Sequence, residues 1–173
     1  MDELLKHAAA VLTTTAARWL TLTTVVSPEL LGLPPAVGEW SATECLLHLI
    51  DTERSVFPVR IRALLAGQDF PGFNPNTQDI VDEAQSVYDL AELFARLRGD
   101  NLELLRKLSV ADLQRQARHA ELGMVTLSEL IHQWAGHDLM HLVQAEQALM
   151  QPFIQGSGPW QPYFAAHLAT VRS

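Results

Sequence analysis

The sequence predicts an all-α fold, and three observations carry that reading. Four long segments place apolar residues three and four apart, the period of a helix that buries one face. No convincing stretch alternates apolar and polar residues with the period of two that marks a half-buried strand. The longest connection, residues 67–85, is long enough to cross a bundle end, so that neighbouring helices can run parallel, which a tight turn forbids. With 173 residues, 48% of them apolar, the chain is expected to form a single domain spanning residues 1–173 around one core.

The first helix is expected from Asp2 to Val25, with Leu5, Ala8, Leu12, Ala16, Leu20 and Thr23 on its buried face. Thr13, Thr14 and Thr15 lower its local propensity, so packing must hold it. Ser27-Pro28, Pro34-Pro35 and Gly38 end the pattern. The second helix opens on a capping box, Ser41-Ala42-Thr43-Glu44, with Trp40 placed to pack on Cys45, and runs to about Leu65 with a kink or break at Pro58. The third runs from about Ser86 to Leu108, its buried side marked by Leu90, Leu93, Phe94, Leu97, Leu104, Leu105 and Leu108. A short helical turn over 109–116 and a link through Gly123 lead to a second capping box, Thr126-Leu127-Ser128-Glu129. The fourth helix then runs to about Met150, ahead of Pro152, and a short amphipathic helix over 160–171 closes the bundle.

The net charge of −8 and the 12 scattered Lys and Arg residues form no basic patch, which argues against a nucleic-acid partner. No apolar run approaches the roughly 20 residues of a membrane span, and the N-terminus has no basic region leading into an apolar core. A lone cysteine, Cys45, forms no internal disulfide and fits a reducing compartment, so a cytoplasmic location is expected.

The residues that suggest chemistry are histidines. His137 and His141 are four apart, about 40° apart around a helix, so their rings point the same way. Such a pair either shares a metal ion or forms two hydrogen-bonded side chains on a polar face. His132 is rotated about 140° from His137 and about 180° from His141 and is read as structural. A third ligand must come from another helix. His48, beside the apolar stripe of Leu47, Ile50 and Phe57, is the best placed, and a shared metal would give a buried imidazole its partner. The residue after His137 is Asp138 rather than Glu, so the zinc-protease arrangement with a Glu base between two ligands is not supported. Cys45, one turn before His48, reads either as a core residue packing against Trp40 or as a group that approaches the metal or acts as a nucleophile. Glu44, Asp51 and Asp138 are the candidate acids or bases. Gln144 shares the histidine face and can line a pocket, as can Trp134, for which a core position is the alternative. Zn²⁺ and Ni²⁺ both suit imidazole donors.

These residues resemble a known family. Trp40-Ser41-Ala42-Thr43-Glu44 followed by His48-Leu49-Ile50-Asp51 and Glu53 is similar to the second-helix pattern of the DinB/YfiT-like superfamily of metalloenzymes. The run from His119 through Glu121-Leu122-Gly123 to Val125-Thr126-Leu127 resembles the approach to that family's last bundle helix. The run Trp134-Ala135-Gly136-His137-Asp138-Leu139, with His141-Leu142 and Gln144, resembles its ligand helix. Gly158-Pro159-Trp160 and Tyr163 resemble the tail of one subgroup. The resemblance implies a four-helix bundle with long crossover connections, often a homodimer, holding one divalent ion on the positions that here are His48, His137 and His141. Members with known activity include thiol S-transferases using bacillithiol or mycothiol and a mycothiol-dependent maleylpyruvate isomerase; others are regarded as metal-dependent hydrolases.

Two classes of function follow. As an enzyme, three neutral imidazoles leave coordination positions open for a low-molecular-weight thiol, which becomes the nucleophile toward a small-molecule electrophile, or for water in a hydrolase. As a binder, the same ligands hold a metal or small molecule without turnover.

Overall fold

The computed structural model describes residues 2–72 and 85–169. The expected crossing of the bundle end by 67–85 therefore falls largely outside the described residues.

Four long helices build the core: α1 (Glu3–Val25), α3 (Ala42–Ser55), α5 (Val87–Arg106) and α6 (Leu127–Gly156), with the single turn α2 (Pro28–Leu31) after α1 and α4 (Phe57–Ala66) after α3. Both α1 and α3 pack against α5 and α6, so the helices carrying His48 and His137 are neighbours. Helix starts follow local chemistry. Asp2 accepts from the Leu4 amide, and the boxes Ser41/Glu44 and Thr126/Glu129 close as the sequence predicts; Ser86/Asp89 closes a third. The apolar stripes meet in two buried clusters, one around Leu12, Phe57, Ile61, Leu102, Ile131 and Trp134, the other around Trp19, Leu46, Ile50, Phe94 and Ala145.

The break expected near Pro58 is present, and the end of the last long helix departs from expectation. The second helix breaks at Val56 (φ −110°, ψ −71°), and Pro58 falls in the first turn of α4. There its missing N–H breaks no intrahelical bond, whereas one continuous helix would set its ring against the carbonyl four residues back. Helix α6 passes Pro152 and ends at Gly156 instead of stopping at Met150. Tertiary ties hold that last turn: Ile154 is buried, and Gln151 donates to the His167 carbonyl and accepts from the Ala169 amide.

The linker through Gly123 is an antiparallel hairpin of β1 (Gln116–His119) and β2 (Gly123–Thr126), with Gln116 opposite Thr126 and His119 opposite Gly123. Four-residue strands are too short to show a period-two signal, which is why the sequence reading missed them. Buried His119 closes the turn, its Nδ1 accepting from the Glu121 and Leu122 amides, while Gly123 takes a φ of 80°. The closing segment is a 3₁₀ helix over Gly158–His167 rather than an amphipathic α-helix over 160–171; Pro162, inside it, removes an amide that an α-helix over this span would use, and residues 170–173 lie outside the described part. No described helix is long and apolar enough to cross a membrane.

Candidate metal centre

Helices α3 and α6 bring His48, His137 and His141 together. Ring centroids lie 5.2 Å apart for His48 and His137, 4.6 Å for His48 and His141, and 4.5 Å for His137 and His141. One ligand-capable nitrogen from each falls within 4.8 Å of the others. The Nε2 atoms of His48 and His137 approach to 3.1 Å. Two nitrogens bound tetrahedrally to zinc at about 2.05 Å sit about 3.3 Å apart, so this pair already has chelating separation.

Protonation fits the same use. Burial pushes His48 down to about 4, helped by His141. Burial also lowers His137 to about 3, with smaller effects from His141, His48 and Arg98. His141 is lowered by burial against the opposing pull of Gln144 and Asp138. Neutral rings offer lone pairs. The His141 Nδ1 lies 3.0 Å from Gln144 Oε1, and because a carbonyl oxygen only accepts, Nδ1 carries the proton and Nε2 is free to ligate. The Nδ1 of His137 is buried without a hydrogen-bond partner. The donor set, its spacing and its protonation fit a divalent cation.

Trp40 covers one side, stacked on His141 at 5.7 Å and tilted to His48 at 5.1 Å, and the Phe57 edge meets His137 at 5.5 Å. An open cleft of about 400 Å³ reaches His141 between Val37, Gly38, Glu39, Trp40 and Gln144. Gln144 lines this cleft. Trp134 does not open on the cleft: it is fully buried, stacked on Phe57 at 5.3 Å, and its indole donates to Glu53 Oε1 at 2.7 Å. His132 is exposed and donates from Nδ1 to the Ser128 carbonyl, away from the cluster. Cys45 is buried, and burial together with neighbouring Glu44 pushes its thiol up to about 12, so it behaves as a core residue.

The candidate acids are largely committed elsewhere. Glu44 holds the cap of α3. Asp138 is buried in an ion pair with Arg98 at 2.6 Å, and Arg98 also reaches Glu53 at 2.9 Å. Asp51 accepts from the Ser55 hydroxyl. The sequence reading passed over Arg98, Asn101 and Thr15. The signal was present in the spacing: Arg98 stands midway between Phe94 and Leu102, in the apolar stripe of α5.

Residues 12–145 match the family model of the DinB superfamily. The chain belongs to the DinB superfamily. Among solved structures, this DinB-superfamily chain is similar to YfiT from Bacillus subtilis, described as a probable metal-dependent hydrolase with an unusual four-helix bundle topology. The two share 19% identity with a TM-score of 0.70, over 88% of this chain and 89% of YfiT. No curated protein matches it significantly. The bundle expected from the sequence is thus the fold of this superfamily, with the small hairpin added.

Proposed function

We propose that this DinB-superfamily chain is a metal-dependent enzyme that transfers a low-molecular-weight thiol to a small electrophile. The observation that supports it is the convergence of three neutral imidazoles, His48, His137 and His141, of which His141 lines an open cleft. Three protein ligands leave a cation with positions for an exogenous group, the arrangement of catalytic rather than structural sites. When bound, a divalent ion, Zn²⁺ or Ni²⁺, supplies Lewis acidity that lowers the pKa of a thiol or water offered to it.

The chain's own residues hold and shape the site. Burial keeps the three rings neutral, and Gln144 fixes the His141 tautomer. Trp40 and Gln144 wall the cleft that admits the electrophile. With Glu44 and Asp138 committed to a cap and an ion pair, nucleophiles that ionise without a protein base are favoured. A thiol, with a pKa near 8.5, needs far less help than water at about 15.7. In the transfer, the sulfur–carbon bond forms as the leaving group departs with its electron pair, and the thiol proton goes to solvent.

Hydrolysis is the second reading, favoured by the likeness to YfiT. The test loads the protein with Zn²⁺ or Ni²⁺ and supplies a model electrophile with and without bacillithiol, mycothiol or glutathione. Turnover that needs both a thiol and His141 supports transfer. Substrate loss without thiol supports hydrolysis. No turnover across a varied electrophile panel with any of the three thiols overturns the transferase.

A further inference from the structure

A polar layer cuts the core in two. Thr15 lies between Leu12 and Trp19 on α1, Glu53 between Ile50 and Phe57 at the α3–α4 break, Arg98 between Phe94 and Leu102 on α5, and Asp138 between Trp134 and Ala145 on α6. The first and second members of each pair belong to different apolar clusters. All four helices of the bundle therefore meet at this level.

Arg98 donates from NH1 to the Leu12 carbonyl at 2.7 Å, to Thr15 Oγ1 at 3.1 Å and to Asp138 Oδ2 at 3.1 Å. From NH2 it donates to Glu53 Oε1 at 2.9 Å and Asp138 Oδ1 at 2.6 Å. Trp134 Nε1 and Asn101 Nδ2 also donate to Glu53, and Thr15 donates to Asp138. Each of these bonds to the two carboxylates comes from a donor, the pattern of two ionised acids. One guanidinium faces two carboxylates, each side chain 1% exposed, so the trio leaves one uncompensated negative charge in the interior. A buried net charge is costly unless an opposite charge lies near. The layer is joined to the histidine centre through the chain: Asp138 follows His137 directly, and Glu53 lies five residues after His48. A buried net negative charge attracts a cation held nearby through the same low-dielectric core.

We propose that the Glu53–Arg98–Asp138 trio is the built-in counter-charge of the three-histidine centre, its excess negative charge favouring a divalent cation on His48, His137 and His141. The inference rests on reading that centre as a cation site. It separates two roles that a buried network normally merges. A change that removes negative charge weakens cation binding beyond its effect on the fold. A change that breaks a hydrogen bond and leaves the charge alone weakens only the fold.

The experiment measures Zn²⁺ affinity by competition with a chelating dye, and urea stability without metal, in four full-length proteins. These are the wild type, Glu53→Gln, Thr15→Val and Glu53→Gln/Asn101→Asp. Glu53→Gln should lose at least about tenfold in Zn²⁺ affinity. Thr15→Val, which removes a bond to Asp138 and no charge, should stay within about threefold while losing stability. The double variant returns the carboxylate one hydrogen bond away, at Asn101, and should recover most of the affinity. Should Glu53→Gln be unfolded without metal, its affinity is read from the Zn²⁺ concentration that restores the helical circular-dichroism signal, compared with Thr15→Val measured the same way. Wild-type affinity in Glu53→Gln overturns the inference, as do affinity losses that track stability losses alike in both single variants. A wild-type protein that binds neither Zn²⁺ nor Ni²⁺ overturns the cation site itself.

Discussion

The Nε2 atoms of His48 and His137 lie 3.1 Å apart although 89 residues separate them in the chain. Side by side, α3 and α6 turn a local i, i+4 pair into a three-nitrogen cluster. His137→Ala should therefore lower Zn²⁺ affinity by more than about a hundredfold, since losing a ligand costs more than losing an outer partner. His132→Ala, on the same helix but facing Ser128, should leave it unchanged. Elemental analysis after dialysis checks both; equal metal content in the two variants would remove His137 from the ligand set.

Gln144 controls the same centre from one step outward. Its Oε1 is the partner of His141 Nδ1. Gln144→Leu frees that ring to change tautomer and rotate, and should weaken Zn²⁺ binding about ten- to hundredfold with little change in urea midpoint. A variant that binds like the wild type would leave Gln144 as a cleft wall only.

Acid sensitivity of the metal-free protein should trace to the same rings. Folding lowers His48 to about 4 and His137 to about 3, while an unfolded histidine titrates near 6.5. Between those values the unfolded chain binds protons that the folded one refuses, so stability rises with pH across the window. Stability should be flat with respect to these groups above about pH 7. It should fall as pH drops from about 6.5 toward 4, with His137 continuing to about 3. Urea midpoints at pH 7, 6 and 5 test this. The slope should flatten in His48→Leu/His137→Leu; an unchanged slope would assign the effect to other groups.

Cys45 should be chemically silent in the folded protein. It has no exposed surface, and burial holds its thiol at about 12, so almost no thiolate exists at pH 8. Iodoacetamide at pH 8 should modify it only after denaturation, and Cys45→Ala should retain Zn²⁺ affinity within about twofold. Rapid alkylation of the folded chain would place the thiol at an accessible, activating site instead.

The sequence by itself determined what depends on neighbours a few residues away. The boxes Ser41/Glu44 and Thr126/Glu129 form because donor and acceptor sit three residues apart. The pairing of His137 with His141, and the exclusion of His132, follow from helical rotation alone. His48 was legible as a companion from its place beside an apolar stripe and from the family resemblance. Only the tertiary structure decided the rest. Pro58 and Pro152 have the same local chemistry, yet one sits just after a break and the other inside a continuous helix, because the turn around Pro152 is tied to Gln151, His167 and Ala169. Trp134 belongs to the core because its indole found Glu53, 81 residues away. The layer of Thr15, Glu53, Arg98 and Asp138 draws one member from each side of the bundle, with Thr15 and Asp138 123 residues apart. A charge in an apolar stripe signals that a partner must exist, but the partner is chosen by which helices pack together, and that choice is made only when the chain folds.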